Sequence, residues 1–157
     1  MTGTILLVED NEDDVLFLRR ALKLAGILHP LQVVRDGRQA IDYLEGSGAY
    51  KNRAEFPLPC LVLLDLKLPR VMGLDVLHWI RQQSRLEPLP IIVFTSSQEE
   101  NDIQRAYRLG ANSYLVKPSS ADKLLELVKT FGIYWLQHNT PPSWEEYAKG
   151  IPAAGTS

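Results

Sequence analysis

Four short runs of apolar residues along the chain are each followed at once by chemically reactive side chains. The runs and the residues after them are 5–8 with Glu9 and Asp10, 61–64 with Asp65, 91–94 with Thr95, and 113–116 with Lys117 and Pro118. Short apolar runs bounded by turn residues are typical of strands buried on both faces of a parallel sheet. Parallel strands end at the same edge, so the pattern predicts one pocket that gathers three carboxylates, a hydroxyl and an ammonium group.

Helical patterns alternate with these runs. Asn11 is a predicted N-cap for a first helix with an acidic first turn. Asp36 is a predicted N-cap for a second helix that ends near Gly46. Between the two helices, residues 31–34 form a short predicted strand.

Three further helices are predicted in the second half of the chain. The third spans 74–81, and the fourth spans 99–109 with so few apolar anchors that we expect it to be the least firmly packed. The fifth begins at Ser119, which can form a capping box with Asp122. Five strand–helix units in succession predict an α/β fold with a right-handed, doubly wound parallel sheet.

The bulk composition limits the classes of function. The chain has 157 residues, enough for one domain, and its net charge of -2 gives no general attraction to nucleic acid or anionic membranes. Its single cysteine, Cys60, excludes an internal disulfide and is expected to be a structural thiol. No apolar stretch could span a bilayer and no signal peptide is evident, so we expect a cytoplasmic protein.

The side chains of the predicted pocket suit phosphoryl transfer. Three clustered carboxylates repel one another, and a hard divalent cation such as Mg²⁺ with oxygen ligands relieves this repulsion. An aspartate can itself attack a phosphoryl group and form an aspartyl phosphate. Lys117 could neutralise the transferring oxygens, and Thr95 could donate a hydrogen bond to one of them.

These residues, in this order and each behind its strand, resemble the receiver domains of two-component response regulators. The resemblance extends over residues 4–138 and implies a flavodoxin-like (βα)5 sheet with strand order 2-1-3-4-5. It implies that Asp65 accepts a phosphoryl group from a sensor histidine kinase. It also implies an Mg²⁺ ion held by Asp10, by Asp65, by Glu9 through water, and by the backbone carbonyl of Lys67.

The same resemblance implies roles for four residues near the ends of the last two strands. Thr95 would be the switch hydroxyl and Tyr114 the switch aromatic. Lys117 would pair with the phosphoryl group, and its bond to Pro118 would be a cis peptide.

Four short sequence segments narrow the resemblance to regulators of phytochrome-type kinases. They are VEDNEDDVLFLRRAL, DGRQAIDYL, LLDLKLPRVMGLDVL and FTSS. We expect a receiver domain at 1–140 and a C-terminal extension at 141–157, with no separate output domain. Such a regulator would signal by phosphorylation-dependent protein binding rather than act as an enzyme in the usual sense.

Other classes of protein fit less well. A phosphatase of the haloacid dehalogenase type needs a second aspartate two residues after Asp65, where Lys67 stands. A flavin binder needs a phosphate-binding loop after the first strand, and residues 9–14 are acidic instead. A DNA-binding regulator needs an output domain. The alternative that stays open is a receiver-like protein-interaction module that is never phosphorylated.

Departures from the commonest receiver pattern lead to further expectations. Neither Lys67 nor Ser97 is well suited to orient a hydrolytic water, which favours slow self-dephosphorylation. The long connection at 46–59 is expected to modify the kinase-facing side, with Lys51 and Arg53 in an ordinary solvated loop.

Partners are predicted from the same resemblance. The kinase is expected to dock at the first helix and the loops around the acid pocket. A homodimer is expected through the fourth helix, fifth strand and fifth helix, extended by Phe131, Tyr134, Trp135 and the C-terminal tail. No nucleic-acid or membrane partner is predicted.

Overall fold

Strands and helices alternate along residues 3–142, the part of the chain that the computed structural model describes. The strands are β1 (Thr4–Val8), β2 (Leu31–Val34), β3 (Pro59–Leu64), β4 (Ile91–Thr95) and β5 (Ser113–Val116). The helices are α1 (Glu12–Leu24), α2 (Gly37–Glu45), α3 (Gly73–Gln82), α4 (Glu100–Arg108) and α5 (Ala121–Phe131). A 3₁₀ turn (Gly48–Tyr50) follows α2, and a π-helical segment (Gly132–His138) extends α5.

All five strands pair in parallel in the order β2-β1-β3-β4-β5, which confirms the predicted doubly wound sheet. Val8 at the end of β1 pairs with Val34 of β2 and with Leu64 of β3. Thr95 at the end of β4 pairs with Val116 of β5. This register brings the carboxyl ends of the strands to one edge, as the sequence pattern predicts.

Helices cover both faces of the sheet. Side chains alternate between the two faces along each strand, so apolar strand residues lie on both of them. Ile5 and Leu7 of β1 pack with residues of α1 and α5. Leu6 and Val8 pack with residues of α2, α3 and α4. The buried strand residues on both faces explain why the sequence shows continuous apolar runs.

Helix α4 has the fewest buried residues among the described α-helices. Ala106 is its single buried residue, and the Tyr107 side chain on the next position is 49% exposed. The expectation of a loosely packed fourth helix is confirmed. Few buried apolar contacts are the physical mark of a segment that can move at low cost.

Three predicted helix boundaries are confirmed and one shifts. The Asn11 side chain accepts from the Asp14 N–H, the Asp36 side chain accepts from the Gln39 N–H, and Gly46 ends α2 in the left-handed region with φ of 73°.

The fifth helix begins one residue later than predicted. Ser120 Oγ, not Ser119, accepts from the Lys123 N–H at 3.2 Å. The predicted capping box with Asp122 is therefore wrong, because the third helical position is Lys123, which cannot return a bond as an acceptor.

The connection at 46–59 is folded rather than solvated. Arg53 donates to the carbonyl oxygens of Tyr43 at 2.6 Å, Leu44 at 2.8 Å and Phe56 at 3.1 Å. Tyr43, Tyr50 and Phe56 form a cluster of rings with centroids 5.1–6.0 Å apart. Arg53 thus satisfies carbonyls at the end of α2, and its prediction as an ordinary solvated side chain is wrong.

This connection also lies away from the acid pocket. It leads into the amino-terminal end of β3, and the pocket is at the carboxyl ends of the strands. βα topology separates the two edges by the length of a strand, so the connection does not line the pocket. The expectation that it modifies the kinase-facing side stays a prediction. Lys51 is exposed, as predicted.

The predicted extension at 141–157 lies outside the described residues except for its first two positions. Among residues 3–142, no helix is long and apolar enough to cross a membrane.

Candidate functional site

The fold gathers the predicted site residues at the carboxyl edge of the sheet. Glu9 follows β1, Asp65 follows β3, Thr95 ends β4 and Lys117 follows β5. Glu9 and Asp65 are buried, and Thr95 has no exposed surface. Asp10, beside Glu9, is exposed at the mouth of the site.

Glu9, Asp10 and Asp65 form a cluster of carboxylates suited to a divalent cation. Each offers one oxygen, and these oxygens all lie within 4.8 Å of one another. Burial raises the pKa of Glu9 to about 7 despite the hydrogen bond from Lys117, and the charge of Asp65 adds to the rise. A hard donor set with surplus negative charge fits Mg²⁺ or Mn²⁺, which take carboxylate oxygens and water.

Lys117 is the cation that the protein itself supplies to this cluster. Its Nζ donates to Glu9 Oε1, and it also donates to Asp65 Oδ2 and Asp14 Oδ2 at 2.9 Å each. Burial alone would lower the pKa of Lys117, but hydrogen bonds to these three carboxylates outweigh burial and raise it above its ordinary value. Lys117 is therefore a fixed positive charge at neutral pH.

Asp65 is held as an ionised carboxylate. Burial opposes its ionisation, but the hydrogen bond and charge of Lys117 outweigh burial and hold the pKa of Asp65 below its usual value. Its Oδ1 also accepts from the Lys67 N–H at 3.3 Å. An ionised carboxylate needs no general base to act as a nucleophile. The metal-binding role of the Lys67 carbonyl stays a prediction.

Asp14 is a site residue that the sequence reasoning did not single out. The sequence reasoning treated it only as part of an acidic first turn of α1. One signal was available: Leu18, one turn later on the same face, is a core position of the helix, so Asp14 lies at the inward edge of that face.

Thr95, Ser97 and Tyr114 form a hydrogen-bonded chain beside the cluster. The Ser97 N–H approaches Thr95 Oγ1 at 3.4 Å, and the Tyr114 hydroxyl donates to the Ser97 carbonyl at 3.0 Å. Ser97 Oγ donates to Asp102 of α4 at 2.6 Å. The chain physically connects the strand-end hydroxyl to α4, although the switch roles of Thr95 and Tyr114 stay predictions.

The Lys117–Pro118 peptide is trans, so the predicted cis bond is wrong. None of the described peptide bonds is cis. The trans isomer is the more stable one for a residue before proline, by about 0.5–1 kcal/mol. The Lys117 ammonium reaches its three carboxylates from this trans bond.

Gly73, at the start of α3, is a second residue that the sequence reasoning missed. A Cβ at this position would lie 2.2 Å from the Asp65 carbonyl oxygen and 2.6 Å from the Leu66 Cα. The backbone of α3 therefore approaches the backbone of Asp65 as closely as only glycine permits. Cys60 is half-buried, and burial raises its pKa to about 11, which favours the neutral thiol over the thiolate.

Comparison with known proteins agrees with this geometry. The response regulator receiver domain family matches residues 5–129. FilR2, a probable methanogenesis regulatory protein of Methanothrix harundinacea, is 41% identical over 141 residues, which cover 88% of this chain and 86% of FilR2. Response regulator Rcp1 of Synechocystis sp. is 38% identical over 139 residues, which cover 88% of this chain and 92% of Rcp1.

Solved structures give the same result. The Mn²⁺-bound form of response regulator Rcp1 matches with a TM-score of 0.82 and 38% identity, over 90% of this chain and 99% of that chain. The phosphorylated cyanobacterial phytochrome response regulator RcpA matches with a TM-score of 0.85 and 36% identity, over 91% of this chain and all of that chain. The chain therefore belongs to the response regulator receiver domain family.

Proposed function

We propose that this protein is a phosphorylation-dependent signalling protein whose phosphoacceptor is Asp65. The observation that carries this proposal is the 2.9 Å contact between Lys117 Nζ and Asp65 Oδ2. It supports an ionised, oriented nucleophile with a fixed cation beside it, in a family that receives phosphoryl groups from histidine kinases.

The proposed reaction is a displacement at phosphorus. An Asp65 oxygen forms the new P–O bond, while the P–N bond of a phosphohistidine breaks and its electron pair leaves with the imidazole. Lys117 offsets negative charge on the phosphoryl oxygens, and the Thr95 hydroxyl donates to one of them. A divalent cation, which we propose is Mg²⁺ held by Glu9, Asp10, Asp65 and the Lys67 carbonyl, would neutralise further charge on these oxygens. The protein itself supplies Asp65, Lys117 and Thr95, so phosphorylation from small donors is expected as well when the cation is present.

We further propose that the signal reaches the surface through α4. A phosphoryl group adds a near-dianion beside Thr95. If the Thr95 hydroxyl turns toward it, the contact with the Ser97 N–H at 3.4 Å is lost, and the loop that holds Tyr114 and α4 is released. Coupling of this kind is typically about 1–3 kcal/mol, enough to shift a population without refolding.

The kinase is proposed to dock where α1 meets the site. Leu16 and Phe17 of α1 are 51% and 46% exposed. Beside Phe17 lies a cleft of about 360 Å³, lined by apolar side chains that include Phe94 and Leu124 and reaching Lys117. Exposed apolar residues next to the phosphoacceptor support a docking surface for the phosphohistidine domain. The RcpA match makes a phytochrome-type kinase the first partner to test.

A homodimer is proposed through α4, β5 and α5. The strand β5 is an edge of the sheet, and all four of its residues are half-exposed. Tyr134, just beyond α5, is 55% exposed. Sedimentation velocity with and without a phosphoryl mimic tests this proposal, and a monomer under both conditions at high concentration rejects it.

The experiment that tests the proposed function is incubation with Mg²⁺ and a small phosphodonor, read by intact mass. We expect the wild type to gain the mass of one phosphoryl group and Asp65→Asn to gain none. No mass gain in the wild type with either a small donor or a panel of phosphorylated kinases would favour the non-phosphorylated interaction module.

A further inference from the structure

Asp14 gives Lys117 a third carboxylate partner from a different element. Asp14 lies in the first turn of α1, and its Oδ2 is 2.9 Å from Lys117 Nζ. Its backbone N–H donates to Asn11 Oδ1 at 3.0 Å, which fixes the turn that carries it. The Asp14 side chain is 38% exposed, so it reaches the buried ammonium from the solvent side.

The three contacts exhaust the hydrogen-bonding capacity of Lys117. An ammonium has three N–H donors and no acceptor. Glu9, Asp14 and Asp65 each take one of them. A phosphoryl oxygen that arrives at Asp65 can bind Lys117 only by displacing one of these carboxylates.

Asp14 differs from the other two partners in having no second task. Glu9 and Asp65 belong to the carboxylate cluster that would hold the cation, and Asp65 is the proposed nucleophile. Asp14 does not belong to that cluster, which is formed by Glu9, Asp10 and Asp65. Its contact with Lys117 therefore acts on the position of the ammonium and on nothing else in the reaction.

We propose that Asp14 is a positioning residue that draws the Lys117 ammonium toward α1 and competes with the phosphoryl group for it. The inference rests on the proposed function of Asp65. It follows that Asp14 weakens the phosphorylated state and helps to set how long that state persists. A partly exposed ion pair contributes at most about 1 kcal/mol, so removing the competitor strengthens phosphoryl binding by about three- to fivefold.

A general effect of charge must be separated from this specific contact. Asp13 is the matched control, because it is in the same helical turn, carries the same charge and is exposed, and Lys117 is bonded to its neighbour instead. Asp14→Asn removes the charge at nearly constant size. It keeps the backbone N–H that donates to the N-cap residue Asn11. Asp14→Glu keeps the carboxylate and tests rescue.

The experiment is a calorimetric titration of the full chain with beryllofluoride, a phosphoryl mimic, at saturating Mg²⁺. We expect Asp14→Asn to bind beryllofluoride about three- to fivefold more tightly than wild type. Asp13→Asn and Asp14→Glu are each expected within about twofold of wild type. The ¹⁵N signal of the Lys117 ammonium in the mimic-free protein should move in Asp14→Asn and not in Asp13→Asn.

Two outcomes overturn the inference, and they are distinct from failure of the proposed function. Equal tightening by Asp13→Asn and Asp14→Asn would reduce the effect to bulk charge. Weaker binding by Asp14→Asn would mean that Asp14 assists Lys117 rather than competes. A wild type that binds no beryllofluoride, like Asp65→Asn, would instead overturn the phosphoacceptor assignment and this inference with it.

Discussion

The Lys117 ammonium lies 2.9 Å from the Asp65 carboxylate, so the cation and the proposed phosphoacceptor are paired in the unphosphorylated protein. The pair joins the carboxyl end of β3 to that of β5 across the intervening strand β4. Residues 52 positions apart in the chain therefore depend on the sheet for their contact.

Lys117→Met should destabilise the metal-free protein, and added Mg²⁺ should restore its stability. Without Lys117, the buried carboxylates of Glu9 and Asp65 lose their counter-charge, which costs about 3–5 kcal/mol. Urea denaturation with a chelator, and again with Mg²⁺, measures both effects. Lys51→Met is the control, since Lys51 is exposed and lies outside the site. Equal stability of wild type and Lys117→Met in chelator would contradict the account.

Thr95→Val should leave the fold intact and should weaken the response of α4 to the phosphoryl mimic. Valine matches threonine in shape and lacks the hydroxyl that would turn toward the phosphoryl group. Hydrogen exchange is the measurement: beryllofluoride should change the protection of α4 amides in wild type, and much less in Thr95→Val. The cost in stability should be about 1–2 kcal/mol, because the buried Ser97 N–H loses its acceptor.

Tyr114→Phe and Tyr114→Ala separate the role of the Tyr114 hydroxyl from the role of its ring. Tyr114→Phe removes only the bond to the Ser97 carbonyl, whereas Tyr114→Ala removes the ring as well. If the ring transmits the signal, Tyr114→Phe keeps the exchange response of α4 and Tyr114→Ala loses it. An unchanged response in Tyr114→Ala would show that the ring is not the transmitter.

Gly73→Ala should displace Asp65 and slow its phosphorylation by about tenfold or more. The new Cβ would overlap the Asp65 carbonyl oxygen, which is backbone and can move only with the β3 end. The expected loss of stability is about 1–3 kcal/mol. Rates with a small phosphodonor and urea denaturation measure the two effects.

The matched control for that substitution is Gly48→Ala. Gly48 has a left-handed φ of 59°, but a Cβ there meets nothing within 4 Å. It should lose about 1 kcal/mol from backbone strain and keep the wild-type phosphorylation rate. A Gly73→Ala protein that phosphorylates as fast as Gly48→Ala would refute the importance of the close approach.

Arg53→Ala should destabilise the protein without changing phosphorylation. Its guanidinium satisfies carbonyl oxygens of Tyr43, Leu44 and Phe56, and their loss should cost about 2–3 kcal/mol. Urea denaturation measures the cost, and Lys51→Ala is the exposed control. A slower phosphorylation of Arg53→Ala would contradict the placement of this loop at the far edge of the sheet.

The sequence predicts the fold and most of the site because both depend on local patterns. Continuous apolar runs identify buried parallel strands, and each reactive residue directly follows its strand. Asn11 and Asp36 cap their helices as predicted because capping is a matter of a few adjacent residues.

The parts that the sequence does not predict depend on contacts between distant segments. Asp14 meets Lys117 only after α1 is placed beside the end of β5. Arg53 meets α2 carbonyls only after the loop has folded back. The start of α5 is ambiguous from sequence because serine is a good cap at both 119 and 120, and the structure uses Ser120.

The measurement that tests the central claim most directly is chemical mapping of the phosphorylated residue. The protein is phosphorylated in the presence of Mg²⁺ and treated with borohydride, which reduces an acyl phosphate to an alcohol, and the peptides are then sequenced by mass spectrometry. Reduction at Asp65 alone is the expected result, and Asp65→Asn should show none. Reduction at another carboxylate, or at none while a kinase still signals through the protein, would contradict it.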